Sequence, residues 1–578
     1  MSRTAKLALL AALLLPWLFV WQGVDFTDQG FSLSHYRLFF EHPDAIGPFQ
    51  HMWLTNAVGA LGERWLGALG VLGARLLWAG CLSLCALLAF VAARETMRAD
   101  LAAFAALYAA ALLAHRRETW FHYNTLTAVT YVVCAACLVC GIARRRDALV
   151  FAAGLAAGMS PFARLPNTLI LVLGTAPAFA AFIDEERRAR VGRESALFAV
   201  GVGAGAAAVL AAMNALGHVS QFVGGVRALL DREGGDAFTH ARGTLAAQFV
   251  RDQALALAFG LAALATVFAA VQLSTRVSRA VAVAIALALL IAVAALLSNQ
   301  AYWHWVAAGC AYVVLGSLCA GRNLPGAAAG DEPRPGVELR VGAWVALLAL
   351  VLAPIGSANG IRNSHVGGWL AITLVLGHVL STAGRRGQPY ARALAWALAG
   401  TLGLESAQHA VFHTYRDGPK LELAHRIDEP KLLAQFTSAA RARVVEQAMA
   451  ALRARVARGD LLLAHEGTSL FHYLLDTRPY GDRTWPMLEA PGRLADALDA
   501  ARRRHGCLPV AVRALGSTST SGWPSDAAAR EPRMRELDQK NRQVITRFLR
   551  RERYQVSWRN DFFEISEPPA RGPRRACR

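Results

Sequence analysis

The stretch Thr125–Ala143, TLTAVTYVVCAACLVCGIA, decides the fold class. It carries no charged residue, and about 20 apolar residues in a helix are long enough to cross the hydrocarbon core of a bilayer. Three further stretches have the same apolar character, at Ala74–Ala93, Ala196–Ala215 and Ala280–Leu297. Because several such stretches follow one another along one chain, the sequence predicts a protein that crosses a membrane many times.

Working outward from these stretches, we expect about thirteen transmembrane helices. The chain has 578 residues, is 55% hydrophobic and has a mean hydropathy of +0.33. Residues 1–413 are interpreted as the membrane domain, with an external first loop at 24–73. Residues 414–567 mix a helical pattern with short apolar strands and predict a soluble α/β domain. Residues 568–578 are rich in Pro and Arg and predict a disordered tail. The fold class is therefore a polytopic α-helical membrane protein with a C-terminal α/β domain.

The formal net charge of +19 does not indicate nucleic-acid binding here. Much of the positive charge lies in short loops between apolar stretches, for example at Arg144–Arg146 and Arg187–Arg193, as the positive-inside rule requires of cytoplasmic loops. Because this assignment puts arginines in every cytoplasmic loop, we expect the N-terminus in the cytoplasm. An odd number of helices then places the C-terminal domain in the periplasm of a bacterium. Cys507 and Cys577 both lie in that domain, and the sequence leaves open whether they pair.

Two carboxylates, Asp25 and Asp28, follow the first apolar segment directly. Charged groups at a membrane boundary are candidates for function. Asp28 could equally cap the short helix that ends near Phe40, because Asp is a preferred N-cap residue. Capping and catalysis both stay open from the local sequence.

Other external loops contain polar residues and arginines that the positive-inside rule does not explain. Arginine suits a phosphate because its planar donors can bind two oxygens at once, although contact with lipid head groups is the alternative. The candidate binding residues in these loops are Arg116, Tyr123, Asn124, Arg164, Asn167, Asn359 and Arg362. We expect no metal and no cofactor, since the sequence has no Gly-x-x-x-x-Gly-Lys loop for a nucleotide phosphate.

The chain resembles the GT-C superfamily of polyprenol-phosphate-sugar glycosyltransferases, the group that includes protein mannosyltransferases and aminoarabinose transferases. The resemblance covers the whole architecture. The segments that carry it are Asp25–Leu33, Tyr123–Thr127, the turn Arg164–Asn167, Gly356–Gly360, and Gly459–Pro486 in the soluble domain. In these families the first loop often has an adjacent Asp-Glu pair. Here Gln29 follows Asp28, so the second acid is missing.

The resemblance implies a transfer reaction at the bacterial inner membrane. A sugar on a polyprenyl phosphate is passed to an acceptor on the periplasmic side, with inversion at the anomeric carbon. Asp28 is the implied general base and Asp25 its partner. Arg116, Arg164 or Arg362 would neutralise the departing lipid phosphate. The implied partners are the lipid-linked donor, the bilayer and an acceptor that is a glycan, a lipid or a protein.

Two other classes of function stay open from the sequence. Surface-polysaccharide ligases and polymerases also act on lipid-linked glycans outside the cell, but a large loop between late helices dominates them, whereas here the first loop is acidic. The sequence of a transporter or flippase would be expected to show paired repeats and charged residues near the middle of the membrane. Here the polar residues gather on one face of the membrane, which favours an enzyme.

Overall fold

The computed structural model describes residues 1–115, 118–233, 242–274, 300–321, 335–357, 359–385, 389–525, 536–569 and 577. Arg116 and the expected span at 279–297 lie outside these residues, as does most of the tail that was expected to be disordered.

The first part of the chain is helical. Its helices are α1 Arg3–Leu14, α2 Asp28–Leu38, α3 Trp53–Leu66, α4 Val71–Ala93, α5 Ala99–Leu113, α6 Tyr123–Ala143, α7 Asp147–Met159, α8 Ala176–Ile183, α9 Arg188–Ala215, α10 Val219–Glu233, α11 Arg242–Ser274, α12 Gln300–Cys319, α13 Val337–Leu352, α14 Ser364–Arg385 and α15 Pro389–Phe412. A 3₁₀ segment at Leu165–Thr175 precedes α8.

Five helical segments among the described residues are long and apolar enough to cross a membrane. They are Val71–Ala93, Tyr123–Ala143, Leu165–Ile183, Glu185–Ala215 and Gly360–Ser381. Four shorter apolar helices lie at Ala99–Leu113, Asp147–Phe162, Val219–Leu230 and His304–Cys319. The chain is thus a multi-pass membrane protein, and the expected count of about thirteen spans stays a prediction.

The C-terminal part contains the expected sheet. Its helices are α16 Ala439–Arg453, α17 Leu470–Leu475, α18 Pro491–His505 and α19 Glu536–Arg551. Its strands are β1 His425–Arg426, β2 Phe436–Thr437, β3 Leu461–His465, β4 Arg478–Pro479, β5 Val510–Ala514, β6 Gln555–Arg559 and β7 Phe563–Glu567. Five of them form a mixed sheet in the order β4-β3-β5-β7-β6, in which β3 is parallel to β4 and β5. Cys507 and Cys577 form a disulfide bond.

The first loop packs into the C-terminal part of the chain. Gln22 forms a parallel bridge with Phe436, so the chain before the loop lies beside β2. Phe26 is fully buried, with its ring 5.2 Å from that of Phe471 and 5.4 Å from that of Trp523. The backbone N–H of Leu470 donates to the carbonyl of Phe26. The chain is therefore bound to the C-terminal part at Gln22 and again at Phe26, and these contacts fix the positions of Asp25 and Asp28.

Candidate functional site

Asp25 caps the N-terminus of α2. Its side chain is buried, and its carboxylate accepts hydrogen bonds from the Thr27 N–H (3.1 Å), the Thr27 hydroxyl (2.7 Å) and the Gln29 N–H (2.8 Å). A carboxylate that accepts the first free N–H groups of a helix stabilises that helix end. The capping role that the sequence left open for Asp28 is therefore filled by Asp25.

Asp28 is the first residue of α2, and its side chain remains 31% exposed. The Tyr415 hydroxyl donates to Oδ2 of Asp28 at 2.6 Å, and the Arg416 guanidinium lies 2.9 Å from the same oxygen. Burial raises the pKa of the Asp28 carboxyl above its usual value, and the Arg416 charge only partly opposes this effect. The negative charges of Asp25 and Glu118 raise this pKa further. Asp28 is thus a reachable carboxylate that holds a proton more readily than usual.

The segment that brings Tyr415 and Arg416 to Asp28 is anchored by a buried ion pair. Asp417 and Arg441 are both fully buried, with Nη1 of Arg441 2.7 Å from Oδ1 of Asp417. The other oxygen of Asp417 accepts the Val24 N–H at 2.8 Å, just before Asp25. Because one carboxylate binds both the first loop and the start of the C-terminal domain, the two segments keep a fixed relative position.

Arg416 also contacts the rest of the loop. Its guanidinium donates to the Thr27 hydroxyl and lies 3.6 Å from Asp25. Arg416 was not among the candidate residues from the sequence, and neither were Tyr415 and Glu118. The sequence analysis placed a domain boundary at 414, directly before Tyr415 and Arg416, and that boundary is the one feature of the sequence that pointed to these two residues.

A small cavity of about 30 Å³ lies beside this cluster, between α4, α5, α6 and α14. Its polar lining includes Glu118, His122, Asn124 and His365, and its apolar lining includes Trp78, Leu82, Leu113 and Trp369. Nε2 of His122 lies 3.8 Å from Oε2 of Glu118. The ring of Trp120 lies 5.7 Å from that of His122 and 5.5 Å from that of Tyr415, and so connects the cavity wall to the residues around Asp28.

Asn124 is the predicted binding residue that lines this cavity. Its side chain is only 2% exposed, and neither atom of its amide has a hydrogen-bond partner among the described residues. A buried amide without a partner costs free energy, so such groups in native proteins usually bind water or a ligand. The neighbouring Tyr123 packs its ring 5.4 Å from that of His122, with part of its side chain exposed.

Arg164 and Asn167 are buried within the helical bundle. The Arg164 guanidinium donates to the carbonyls of Ala353 (3.3 Å) and Ile355 (3.0 Å). The Asn167 amide donates to the Thr127 hydroxyl (2.9 Å) and to the Ser160 carbonyl (3.2 Å). Both side chains therefore donate hydrogen bonds to acceptors within the protein. Arg164 holds the turn that follows α13, which is the turn that leads to Arg362.

Arg362 is exposed at the start of the α14 segment. Nδ1 of His365 lies 2.9 Å from the Arg362 carbonyl, and His365 lines the cavity. The Asn359 N–H donates to the Ser357 hydroxyl at 3.2 Å, and Asp252 accepts the Ile361 N–H at 3.1 Å. This turn is thus fixed by its neighbours, while the Arg362 side chain projects from it one helical turn before the cavity wall.

The structure therefore brings some predicted residues together and separates others. Asp25 and Asp28 share one cluster, Asn124 lines the adjoining cavity, and Arg362 lies three residues before His365, which also lines that cavity. Arg164 and Asn167 support the surrounding packing. Among the described residues, no group of three or more His, Cys, Asp or Glu side chains is arranged to hold a metal ion.

No protein-family model matches the chain, and no curated protein matches it. Two solved structures of the oligosaccharyltransferase AglB from Archaeoglobus fulgidus are similar to it at 13% sequence identity. The apo form gives a TM-score of 0.46, and the complex with an inhibitory peptide and a dolichol-phosphate gives 0.45. Each match covers 88% of this chain and 69% of the other. At this identity and these TM-scores, neither match carries an argument about the family, the residues or the chemistry of this chain.

Proposed function

We propose that this protein is an integral-membrane glycosyltransferase of the bacterial inner membrane. It moves a sugar from a polyprenyl-phosphate carrier to an acceptor hydroxyl on the periplasmic side, with inversion at the anomeric carbon. The observation that carries the proposal is Asp28. It is a partly exposed carboxylate with a raised pKa, held by Tyr415 and Arg416 where the first loop packs against the C-terminal domain.

In the proposed reaction Asp28 is the general base. Its carboxylate takes the proton of the acceptor hydroxyl, and the hydroxyl oxygen forms a bond to the anomeric carbon as the bond from that carbon to the phosphate oxygen breaks. The leaving group is the polyprenyl phosphate. A general base works best when its pKa lies near the operating pH, so the raised pKa of Asp28 suits this role.

The neighbours of Asp28 have supporting roles in this proposal. Asp25 is a positioning residue, because its carboxylate is fully engaged in holding the first turn of α2. Arg416 keeps Asp28 in place and favours its ionised form. The Tyr415 hydroxyl fixes the orientation of the carboxylate.

For the leaving phosphate, Arg362 is the proposed cation. Its guanidinium is exposed, and arginine donors match phosphate oxygens in geometry and charge. Arg164 acts as a positioning residue, since its bonds to the carbonyls of Ala353 and Ile355 hold the turn that carries Arg362. The role of Arg116 in binding the same phosphate stays a prediction. An electrostatic contribution of this kind stabilises charge that develops in the transition state.

The test replaces Asp28 with Asn. Asn keeps the size and can still accept the Tyr415 hydrogen bond, but it cannot take up the proton. We expect transfer of labelled sugar from a polyprenyl-phosphate donor by the purified protein to fall by roughly 10²–10⁴-fold. Asp44→Asn is the matched control, because Asp44 lies in the same loop and contacts Gln221, away from the site. Transfer close to wild type in the Asp28 variant would remove the proposal. Movement of the intact donor across vesicles without bond cleavage would favour a flippase.

A further inference from the structure

We propose that the cavity beside Asn124 binds the hydroxymethyl arm of the transferred sugar, and so selects a hexosyl over a pentosyl donor. This inference rests on the proposed function and names the class of sugar. It is argued from the volume of the cavity, from the residues that line it and from its position relative to Asp28 and Arg362.

The volume of the cavity fits a very small group. It measures about 30 Å³. One water molecule needs about 10–15 Å³ of volume measured in this way, so the cavity takes about two groups of that size. A hydroxymethyl group has two heavy atoms, one carbon and one oxygen, whereas a whole sugar ring is much too large. The cavity therefore fits a substituent of the sugar, with the ring outside.

The lining of the cavity matches the two halves of this group. Trp78, Leu82 and Trp369 form an apolar wall that suits a methylene group. Asn124 lines the same cavity together with Glu118, His122 and His365, and its amide is buried and without a partner among the described residues. An amide offers both a donor and an acceptor, so it satisfies a hydroxyl, which also has both. The cost of the unpartnered amide is offset when the hydroxyl binds.

The position of the cavity matches the geometry of an inverting transfer. In such a reaction the acceptor approaches the anomeric carbon opposite to the leaving phosphate. Glu118 lines the cavity, and the ring of the nearby Trp120 lies 5.5 Å from that of Tyr415, whose hydroxyl donates to Asp28. Arg362 lies one helical turn before His365, on the wall formed by α14. A sugar between the proposed base and the proposed phosphate site would have its substituents beside this cavity.

The test is equilibrium binding of two donors, polyprenyl-phosphate-hexose and polyprenyl-phosphate-pentose, to wild type and to Asn124→Leu. The Leu side chain has the same branched arrangement of four heavy atoms as Asn but cannot form hydrogen bonds. We expect wild type to bind the hexosyl donor roughly 10–200-fold more tightly, as is usual for one group that fills a pocket. In the Leu variant we expect this preference to fall by about tenfold or more, because binding of the hexosyl donor weakens more than binding of the pentosyl donor.

Binding is measured without turnover, so that the two proposals can fail separately. Equal binding of both donors by wild type, or an unchanged preference in the variant, would overturn the hydroxymethyl assignment alone. Failure of wild type to bind either donor would overturn the proposed function itself. A variant that loses both donors equally has lost its fold or its phosphate site, and Asn124→Asp then decides. We expect Asp to keep the hexosyl preference, since it still accepts a hydrogen bond from the hydroxyl, and loss of that preference with pentosyl binding intact would contradict the proposal.

Discussion

Asp25 and Asp28 are chemically identical and three positions apart, and their surroundings give them different tasks. Every strong contact of Asp25 is to the backbone or a hydroxyl of its own loop, which stabilises α2. Asp28 is bound by Tyr415 and Arg416 from the C-terminal domain, and part of its side chain is exposed to solvent. The buried Asp25 caps the helix that carries Asp28, while Asp28 itself remains accessible. We expect this arrangement when Asp25 positions Asp28.

At the residue scale, the pH dependence of transfer tests the contact with Arg416. A general base must be ionised, so transfer rises with pH through the pKa of Asp28, which burial places above its ordinary value. The Arg416 charge lowers that pKa, and Arg416→Gln removes this effect. We therefore expect the acidic limb of the kcat/KM profile to move to higher pH in the Gln variant, with activity partly recovered in alkaline buffer.

Arg416→Lys is the control for this experiment, because it keeps the charge. Its acidic limb should stay closer to that of wild type. An acidic limb in the Gln variant that is unmoved, or displaced to lower pH, would show that Arg416 does not control the ionisation of the base.

The sequence marked Asp28 as a candidate but did not indicate its partners, for a physical reason. Two acids at a membrane boundary are unusual enough to be noticed locally. Tyr415 reaches Asp28 across 387 positions of chain, and no local pattern records such a contact. Arg164 shows the opposite case. Its residue type indicated a phosphate ligand, yet its donors bind the backbone carbonyls of Ala353 and Ile355, which lie 189 and 191 positions further along the chain.

At the scale of elements, α2, which begins at Asp28, packs directly on α17. Gly30 makes this approach possible, because a Cβ added there would lie 2.2 Å from the Leu470 backbone nitrogen. No side chain fits at that distance without a shift of one helix. We therefore expect the position of Asp28 to depend on Gly30, two residues along the same helix.

We expect Gly30→Ala to destabilise the protein by about 1–3 kcal/mol, the usual cost of overpacking, and to reduce transfer because α2 moves. Thermal inactivation and transfer are measured on the same preparation. Gly47→Ala is the matched control in the same loop, since a Cβ there meets nothing within 4 Å. Equal behaviour of the two variants would show that the contact between α2 and α17 does not position Asp28.

The individual elements of the C-terminal domain were accessible from the sequence, while their arrangement was not. The strands predicted at Asp460–Ala464 and near Cys507–Val512 correspond to β3 and β5. The strand order and the pairing of β5 with β7 depend on contacts between distant segments. The insertion of Phe26 among Phe471 and Trp523 joins two regions that the sequence had assigned to separate domains.

At the scale of the whole molecule, two different kinds of polar surface occupy separate parts of the helical bundle. Several Arg-rich loops meet through ion pairs, in which Arg144 binds Glu95 and Arg190 binds Asp147 at 2.8 Å. These are loops that the positive-inside rule assigns to the cytoplasm. The site around Asp28 adjoins the C-terminal domain, which contains the disulfide between Cys507 and Cys577. Disulfides persist in oxidising compartments, so the bond and the Arg-rich loops both favour a C-terminal domain outside the cytoplasm.

This orientation gives the last prediction. A reporter fused after Arg145 should be cytoplasmic, and one fused after Trp485 should be periplasmic. In intact cells, Cys507 and Cys577 should resist a thiol reagent until a reductant is added, because the oxidising periplasm keeps them paired. A Cys507→Ser variant is the control, since it leaves Cys577 unpaired and open to labelling. A cytoplasmic signal from the second fusion, together with free thiols at both positions, would mean that the number of membrane crossings is even and that the site faces the cytoplasm.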